Sequence, residues 1–96
     1  MSEIVVISIN VAKAGKEAAL EALLSSLVAP TRSDPGMIRY ELSRDLRNPR
    51  IFVFHEIWES QETLDGHLNT PHIATYRALV PDLVERKELL ITRKVQ

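Results

Sequence analysis

The chain has 96 residues, of which 45% are hydrophobic and 26% are charged, and its formal net charge is −1. This length and composition predict a single globular domain over residues 1–96. The near-neutral charge argues against nucleic acid as a partner, because nucleic-acid binders normally carry a basic stripe. The absence of cysteine excludes disulfides and thiolate metal ligands. The apolar run at residues 4–9 is too short for a signal peptide or a membrane span, so we expect a cytoplasmic protein with no membrane partner.

The first half of the chain reads as a strand, a helix and a hairpin. The β-branched run at residues 4–11 predicts the first strand. Leucines recur on one side of residues 16–29, which is typical of an amphipathic helix, and Pro30 is expected to end it. Alternating apolar residues predict strands at 37–45 and 51–58, and the short turn between them predicts a hairpin.

The second half of the chain reads as a broken helix and a last strand. Ser60 is a suitable N-cap for a helix at residues 61–68. Thr70 is a suitable N-cap for a second helix that runs from residue 71 to about 80, because proline is tolerated at the first helical position. The final strand is predicted at residues 89–95. The order β-α-β-β-α-β predicts the α+β ferredoxin-like fold, a four-stranded antiparallel sheet with helices on one face.

The first and third strands are apolar on both faces, although helices can cover only one. Alternation of side chains along a strand puts seven aliphatic residues on the helix-free face. These are Val5, Ile7, Ile9, Val11, Ile51, Val53 and Ile57. Their burial contributes about 10–20 kcal/mol as an upper bound, which is as large as the whole stability of a small domain. A C₂ homodimer is the commonest way to bury such a face, so we expect a homodimer with His55 at its interface.

A carboxylate, every histidine and the single tryptophan lie between residues 55 and 72. Glu56 shares a strand face with Phe54 and Trp58, so we expect it to be partly buried against the helices. Such a carboxylate needs a partner or has its pKa raised. We expect His67 to meet Glu56 across the strand–helix interface, because a carboxylate-oriented imidazole is a suitable general base near neutral pH. The competing interpretations are a structural carboxylate and a histidine that braces the helix junction.

Other side chains are candidates for the base and for the walls of an apolar cavity. His72 is a second candidate for the base, and it could equally stabilise the junction between the two short helices. The expected substrate-binding residues are Trp58, Phe54, Tyr76, Ser8 and Asn10. We expect no metal site, because His67 and His72 are five residues apart and separated by a helix break, which does not form a ligand pair on one helix face.

The stretch Glu-Ile-Trp-Glu-Ser at residues 56–60, followed by His-Leu-Asn-Thr-Pro-His at 67–72, resembles the antibiotic biosynthesis monooxygenase family. Pro35 and Gly36 before the second strand, and Tyr40 within it, belong to the same resemblance. The resemblance implies a dimeric α+β barrel with a cavity between sheet and helices in each subunit. It also implies an activity from a family that includes cofactor-free quinol and polyketide-anthrone monooxygenases, isomerases of a phosphorylated autoinducer sugar derivative, and haem degraders.

The resemblance is closer to some branches of that family than to others. The Asn, Trp and His that haem degraders use fall near Ser8, His67 and Arg77 here, so haem is not expected. Anthrone oxygenases carry an Asn four residues before the tryptophan, and this chain has Phe54 at that position, although Trp58 itself matches. The resemblance is greatest to small quinol monooxygenase-like members, and it implies no cofactor.

We therefore expect a cofactor-independent monooxygenase that acts on a small electron-rich dihydroxy aromatic such as a quinol, with O₂ as co-substrate. His67 would remove a proton from the substrate and Glu56 would orient His67. Two alternatives remain open. One is an isomerase of a small phosphorylated or carbonyl compound of the autoinducer-processing type, for which Arg39 or Arg77 would support a phosphate site. The other is a non-catalytic module that binds a small ligand.

Overall fold

The computed structural model describes residues 3–96, and it confirms the predicted ferredoxin-like α+β fold. The elements are β1 (Ile4–Ala12), α1 (Glu17–Ser25), α2 (Val28–Arg32), β2 (Met37–Arg44), β3 (Ile51–Trp58), α3 (Gln61–Leu68), α4 (Pro71–Leu79), a 3₁₀ turn (Val80–Asp82) and β4 (Val84–Arg93). They form one sheet with the order β2-β3-β1-β4, in which all neighbouring strands are antiparallel. No helix within residues 3–96 is long and apolar enough to cross a membrane.

The structure differs from the sequence prediction at the first helix, which is divided into α1 and α2 around Leu27. Pro30 does not end the helical region but lies at the third position of α2. Proline is tolerated there because backbone N–H groups in the first turn of a helix have no intrahelical acceptor. The apolar stripe continues across the break, so periodicity alone does not reveal it.

The predicted start of the last strand at residue 89 is also wrong, because β4 begins at Val84. Its first half carries Glu85, Arg86 and Glu88, and such charged residues do not give an apolar strand pattern. β4 is an edge strand with exposed side chains, so charges are tolerated along it. The earlier start of β4 brings Lys87 into the sheet, where it pairs with Asn10.

The faces of the two central strands are as predicted. Along β3, Phe52, Phe54, Glu56 and Trp58 are buried under the helices, and the residues between them are half-buried. Within the sheet register, Glu56 lies between Val6 of β1 and Tyr40 of β2. The sheet therefore places one carboxylate in the middle of an apolar layer.

The helix-free face carries the expected aliphatic side chains together with His55, and most of them are half-buried in the single chain. Val11 is already only 4% exposed, so it adds little further burial. Leu90 of β4 pairs with Ile7 and extends the apolar face with a side chain that is 45% exposed. The free energy available from covering this face is therefore below the upper bound derived from sequence.

A tight turn before β2 fixes the position of α3. Gly36 has φ +78°, and a Cβ there would lie 2.3 Å from the side chain of Thr63. The Glu59 N–H donates to the Gly36 carbonyl at 2.8 Å, and Ser60 caps α3 as predicted, in a capping box with Thr63. The turn and the helix are thus locked together at the point where Asp34 approaches the helices.

Gly36→Ala is expected to lower the free energy of unfolding by about 2–4 kcal/mol, because positive φ and the contact with Thr63 both disfavour a side chain. Urea unfolding followed by circular dichroism measures the change. Gly66→Ala is the matched control, since Gly66 lies in α3 with no atom within 4 Å of an added Cβ. Alanine there should raise helix stability by about 0.5–1 kcal/mol. Equal stability of the two variants would show that neither the positive φ of Gly36 nor its contact with Thr63 constrains this turn.

Candidate active site

A cavity of about 230 Å³ lies between the sheet and the helices α3 and α4. Five of the expected site residues line it, namely Ser8, Phe54, Glu56, His67 and Tyr76. Trp58, Asn10 and His72 do not line it but contact or flank residues that do. The rest of the wall is largely aliphatic, from residues such as Leu64 and Ile73. Pockets for drug-sized ligands typically have volumes of about 300–1,000 Å³. This cavity is smaller, which favours a small molecule of one or two rings.

Glu56 is a buried carboxylate whose partner is Trp58 rather than His67. The indole Nε1–H of Trp58 donates to Glu56 Oε1 at 2.9 Å. Burial raises the pKa of Glu56 to about 7, against the lowering effects of the Trp58 hydrogen bond and of Lys87. The expectation that Glu56 orients His67 is therefore wrong. Glu56 and Trp58 are neighbours on the same face of β3, so this hydrogen bond forms within a single strand.

Asp34 is the carboxylate that orients His67. Its Oδ2 lies 2.8 Å from His67 Nδ1 and 3.0 Å from His72 Nε2, so both rings donate to one oxygen. Burial is the main cause that lowers the pKa of His67, and the bond to Asp34 opposes it. A neutral His67 that donates from Nδ1 keeps a lone pair on Nε2. His67 can then accept a proton from a molecule in the cavity.

Sequence reasoning missed Asp34 because it stands in the turn before β2, outside the predicted strands and helices. It is separated by 33 residues from His67 and by 38 from His72. Aspartate before Pro35 and Gly36 is ordinary in turns, so the local pattern carries no signal for a catalytic role. The fold brings the turn against the start of α4, where Thr70 caps the helix as predicted.

Aromatic rings hold His67 in place. The ring centroids of Trp58 and His67 are 4.6 Å apart, and Tyr40 meets His67 edge-on at 5.8 Å. Tyr40 also stacks on Phe54 with centroids 4.7 Å apart, and burial raises the pKa of the Tyr40 hydroxyl. These contacts leave the imidazole little freedom to rotate, which holds its Nδ1 beside Asp34.

Three polar side chains are linked by hydrogen bonds beside the cavity. The Tyr76 hydroxyl donates to Asn10 Oδ1 at 3.0 Å, and Asn10 Nδ2 donates to Ser8 Oγ at 3.2 Å. Burial is the main cause that raises the pKa of Tyr76 to about 12, so the hydroxyl stays protonated. Ser8 and Tyr76 reach the cavity wall, whereas Asn10 is fully buried behind them and holds Tyr76 in position.

Two cations lie at the rim of the cavity. Arg77 of α4 and Lys87 of β4 both line it and are exposed. Lys87 Nζ lies 4.6 Å from the centroid of the Tyr76 ring. Partial burial and then Arg77 lower the pKa of Lys87, and Glu56 opposes them. Arg39, the other expected phosphate-binding candidate, is not at this cavity, because it lies opposite Ile57 and contacts Glu41 at 4.0 Å.

In the folded chain, His67 and His72 lie close enough together to be ligands of one metal ion, although their sequence spacing argued against it. His67 and His72 lie on different helices, yet both reach Asp34, and the three potential ligand atoms all lie within 4.8 Å of one another. The helix break between α3 and α4 turns the two histidines toward the same carboxylate. Their sequence spacing therefore does not decide whether they act together.

The sequence model described as antibiotic biosynthesis monooxygenase matches residues 3–79. The chain belongs to the antibiotic biosynthesis monooxygenase family. A relative from Mycobacterium tuberculosis, named "Putative monooxygenase Rv0793", is 33% identical over 85 residues, which cover 88% of this chain and 83% of that protein. The Synechocystis protein sll1783 is 32% identical over 74 residues, which cover 77% of this chain and 50% of that protein. The chain thus spans about half the length of sll1783.

A solved structure has the same fold. PA3566 from Pseudomonas aeruginosa superposes with a TM-score of 0.96 at 26% identity, over 100% of this chain and 97% of that one. The family match includes Asp34, His67 and His72 but ends at residue 79, before β4 begins. Lys87 is therefore a rim residue that the match to the antibiotic biosynthesis monooxygenase family does not cover.

Proposed function

We propose that the protein is a cofactor-independent monooxygenase of small electron-rich dihydroxy aromatics such as quinols. The observation that carries this proposal is a buried histidine, His67, that lines an apolar cavity and has its Nδ1 bonded to Asp34 at 2.8 Å. This arrangement leaves Nε2 as the proton acceptor. Phe54 and Tyr76 are proposed to contact the substrate ring, and Trp58 supports His67 from behind.

Quinol monooxygenation needs no external reductant, because the substrate supplies all the electrons. A naphthoquinol reacts with one O₂ to give a hydroxynaphthoquinone and one water. One oxygen atom enters the ring and the other leaves as water, so the four electrons that reduce O₂ come from the ring. The task left to the protein is to ionise the substrate and hold it away from water.

The energetics of ionisation match what one base can supply. A phenol with a pKa of about 10 costs roughly 4 kcal/mol to deprotonate at neutral pH. A positioned general base contributes about 10²–10⁴ in rate, or roughly 3–5.5 kcal/mol. His67 removes the phenolic proton through Nε2, and the electron-rich anion then transfers an electron to O₂. The low pKa of His67 favours the neutral ring that this step requires.

The proposal is tested by O₂ uptake and product analysis with a reduced naphthoquinol under excess isotopically labelled O₂. We expect uptake well above the rate in buffer and one labelled oxygen in the hydroxyquinone. Uptake equal to that in buffer would contradict the proposal. Binding of the quinol without turnover would instead favour the non-catalytic ligand-binding module.

An isomerase of a small phosphorylated or carbonyl compound is the second candidate, and the two rim cations favour it. Within residues 3–96, Arg77 and Lys87 form no ion pair with a carboxylate, so both are available to a phosphate group. The same base would move a proton between carbon atoms without oxygen. Turnover of a phosphorylated hydroxyketone under strict anaerobiosis would favour this candidate, and strict dependence on O₂ would oppose it.

We propose that the protein is a homodimer that buries the helix-free face of the sheet. Val53→Glu places a charge in the middle of that face and is expected to shift the protein from dimer to monomer in sedimentation velocity at micromolar concentration. Glu41→Gln, on the same face in the edge strand β2, is the control and should leave the dimer intact. A monomeric wild-type protein would contradict the dimer.

A further inference from the structure

We propose that Asp34, His67 and His72 bind a late first-row divalent cation such as Zn²⁺, and that this cation inhibits the enzyme. The three residues come from the turn before β2, from α3 and from the start of α4. Their proximity is therefore a property of the fold and not of one helix face. Metal binding goes beyond the proposed function, whereas the inhibition rests on it.

The distances are close to those of a coordination sphere. Asp34 Oδ2 lies 2.8 Å from His67 Nδ1 and 3.0 Å from His72 Nε2, and all three atoms lie within 4.8 Å of one another. With bonds of about 2.1 Å, neighbouring ligand atoms are about 3.0 Å apart in an octahedron and about 3.4 Å apart in a tetrahedron. The two short distances need to lengthen by at most about 0.6 Å. His67 Nδ1 and His72 Nε2, which lie within 4.8 Å of each other, need to approach by about 1.4 Å to become neighbouring ligands, which a rotation of the half-buried His72 ring would supply.

The ligand types select the class of cation. Two imidazoles and one carboxylate suit Zn²⁺, Ni²⁺ and Cu²⁺, whereas Mg²⁺ and Ca²⁺ prefer oxygen ligands. Three protein ligands leave positions for water, which a non-structural site retains. His67 is 3% exposed and Asp34 10%, while His72 is 19% exposed. We expect a cation to reach the site past His72, which is the most exposed of the three residues and does not line the cavity.

Occupancy of this site has a direct chemical consequence for His67. A neutral imidazole has one N–H, and a metal on Nδ1 confines that proton to Nε2. Nε2 is the nitrogen that must accept the substrate proton in the proposed reaction. A bound cation therefore removes the base without entering the cavity or competing with the substrate, and inhibition is expected to be non-competitive.

Zinc binding to the full chain tests the site directly. Calorimetric titration with Zn²⁺ near neutral pH is expected to give one site per chain, and Mg²⁺ should give none. Asp34→Asn and His72→Asn should each weaken binding by about tenfold or more. His55→Gln removes the one histidine outside the cluster and should leave the affinity within about twofold. Equal affinity in all three variants would overturn the proposal.

Nitrogen-15 spectra of the histidine rings in the wild-type protein keep the test independent of variant folding. Zinc should shift Nδ1 of His67 and Nε2 of His72 and leave the His55 ring unchanged. Shifts at other nitrogens, or no saturable shift, would overturn the site. Site occupancy without loss of quinol oxidation would overturn the inhibition alone. Failure of quinol oxidation in the metal-free protein would count against the proposed function and not against the metal site.

Discussion

His67→Ala is expected to lower kcat for aerobic naphthoquinol oxidation by about 10²- to 10⁴-fold, because the cavity then loses its general base. KM should change much less, since the apolar walls that hold the ring remain. Steady-state O₂ uptake over a range of quinol concentrations measures both parameters. Full activity in His67→Ala would remove His67 from the proposed mechanism.

Two further variants separate the base from its partners. His72 does not line the cavity, so His72→Asn should cost less than about tenfold in kcat, and a loss as large as that of His67→Ala would assign the base to His72. Asp34→Asn should cost about 10- to 10³-fold, because an amide can hold the wrong tautomer of His67. Asp65→Asn is the matched control, since Asp65 is exposed on α3 and bonded to Gln61.

Glu56→Gln is expected to stabilise the protein above neutral pH and to have little effect in acid. The pKa of this carboxyl rises from 4.5 to about 7 on folding. Between these values the folded state binds more protons than the unfolded state, so the stability of the wild type falls as pH rises. Above pH 7 the full cost is present, on the order of 1–3 kcal/mol. Glutamine avoids this cost and still accepts the Trp58 N–H.

Urea unfolding at about pH 4 and about pH 8 measures this difference. The free energy of unfolding of Glu56→Gln should exceed that of the wild type at the higher pH and approach it at the lower one. Glu59→Gln changes an exposed glutamate in the same region and should show no such pH dependence relative to wild type. The same pH dependence in both variants would mean that Glu56 is not the buried titrating group.

The contacts of Glu56 and His67 illustrate how far sequence reasoning reaches. Alternation along β3 predicted correctly that Glu56 lies under the helices among aromatic residues, because side-chain direction in a strand has a fixed period. It could not predict the partner of Glu56, since the choice between Trp58 and His67 depends on the ångström-scale position of α3. Glu56 accepts a hydrogen bond from Trp58 within β3, and His67 bonds to Asp34 instead.

Several features follow from sequence because each depends on local spacing. These are the order of elements, the apolar faces of β1 and β3, the caps at Ser60 and Thr70, and the resemblance to the family. Only the tertiary structure revealed Asp34 beside His67 and His72, and Lys87 at the cavity rim. Asp34 stands in a turn and Lys87 in a charged edge strand, where local patterns carry no functional signal. The contacts of Asp34 with His67 and His72 join segments more than thirty residues apart, and the packing of the helices on the sheet decides them. Lys87 reaches the rim because β4 pairs with β1 in the sheet, with Lys87 opposite Asn10.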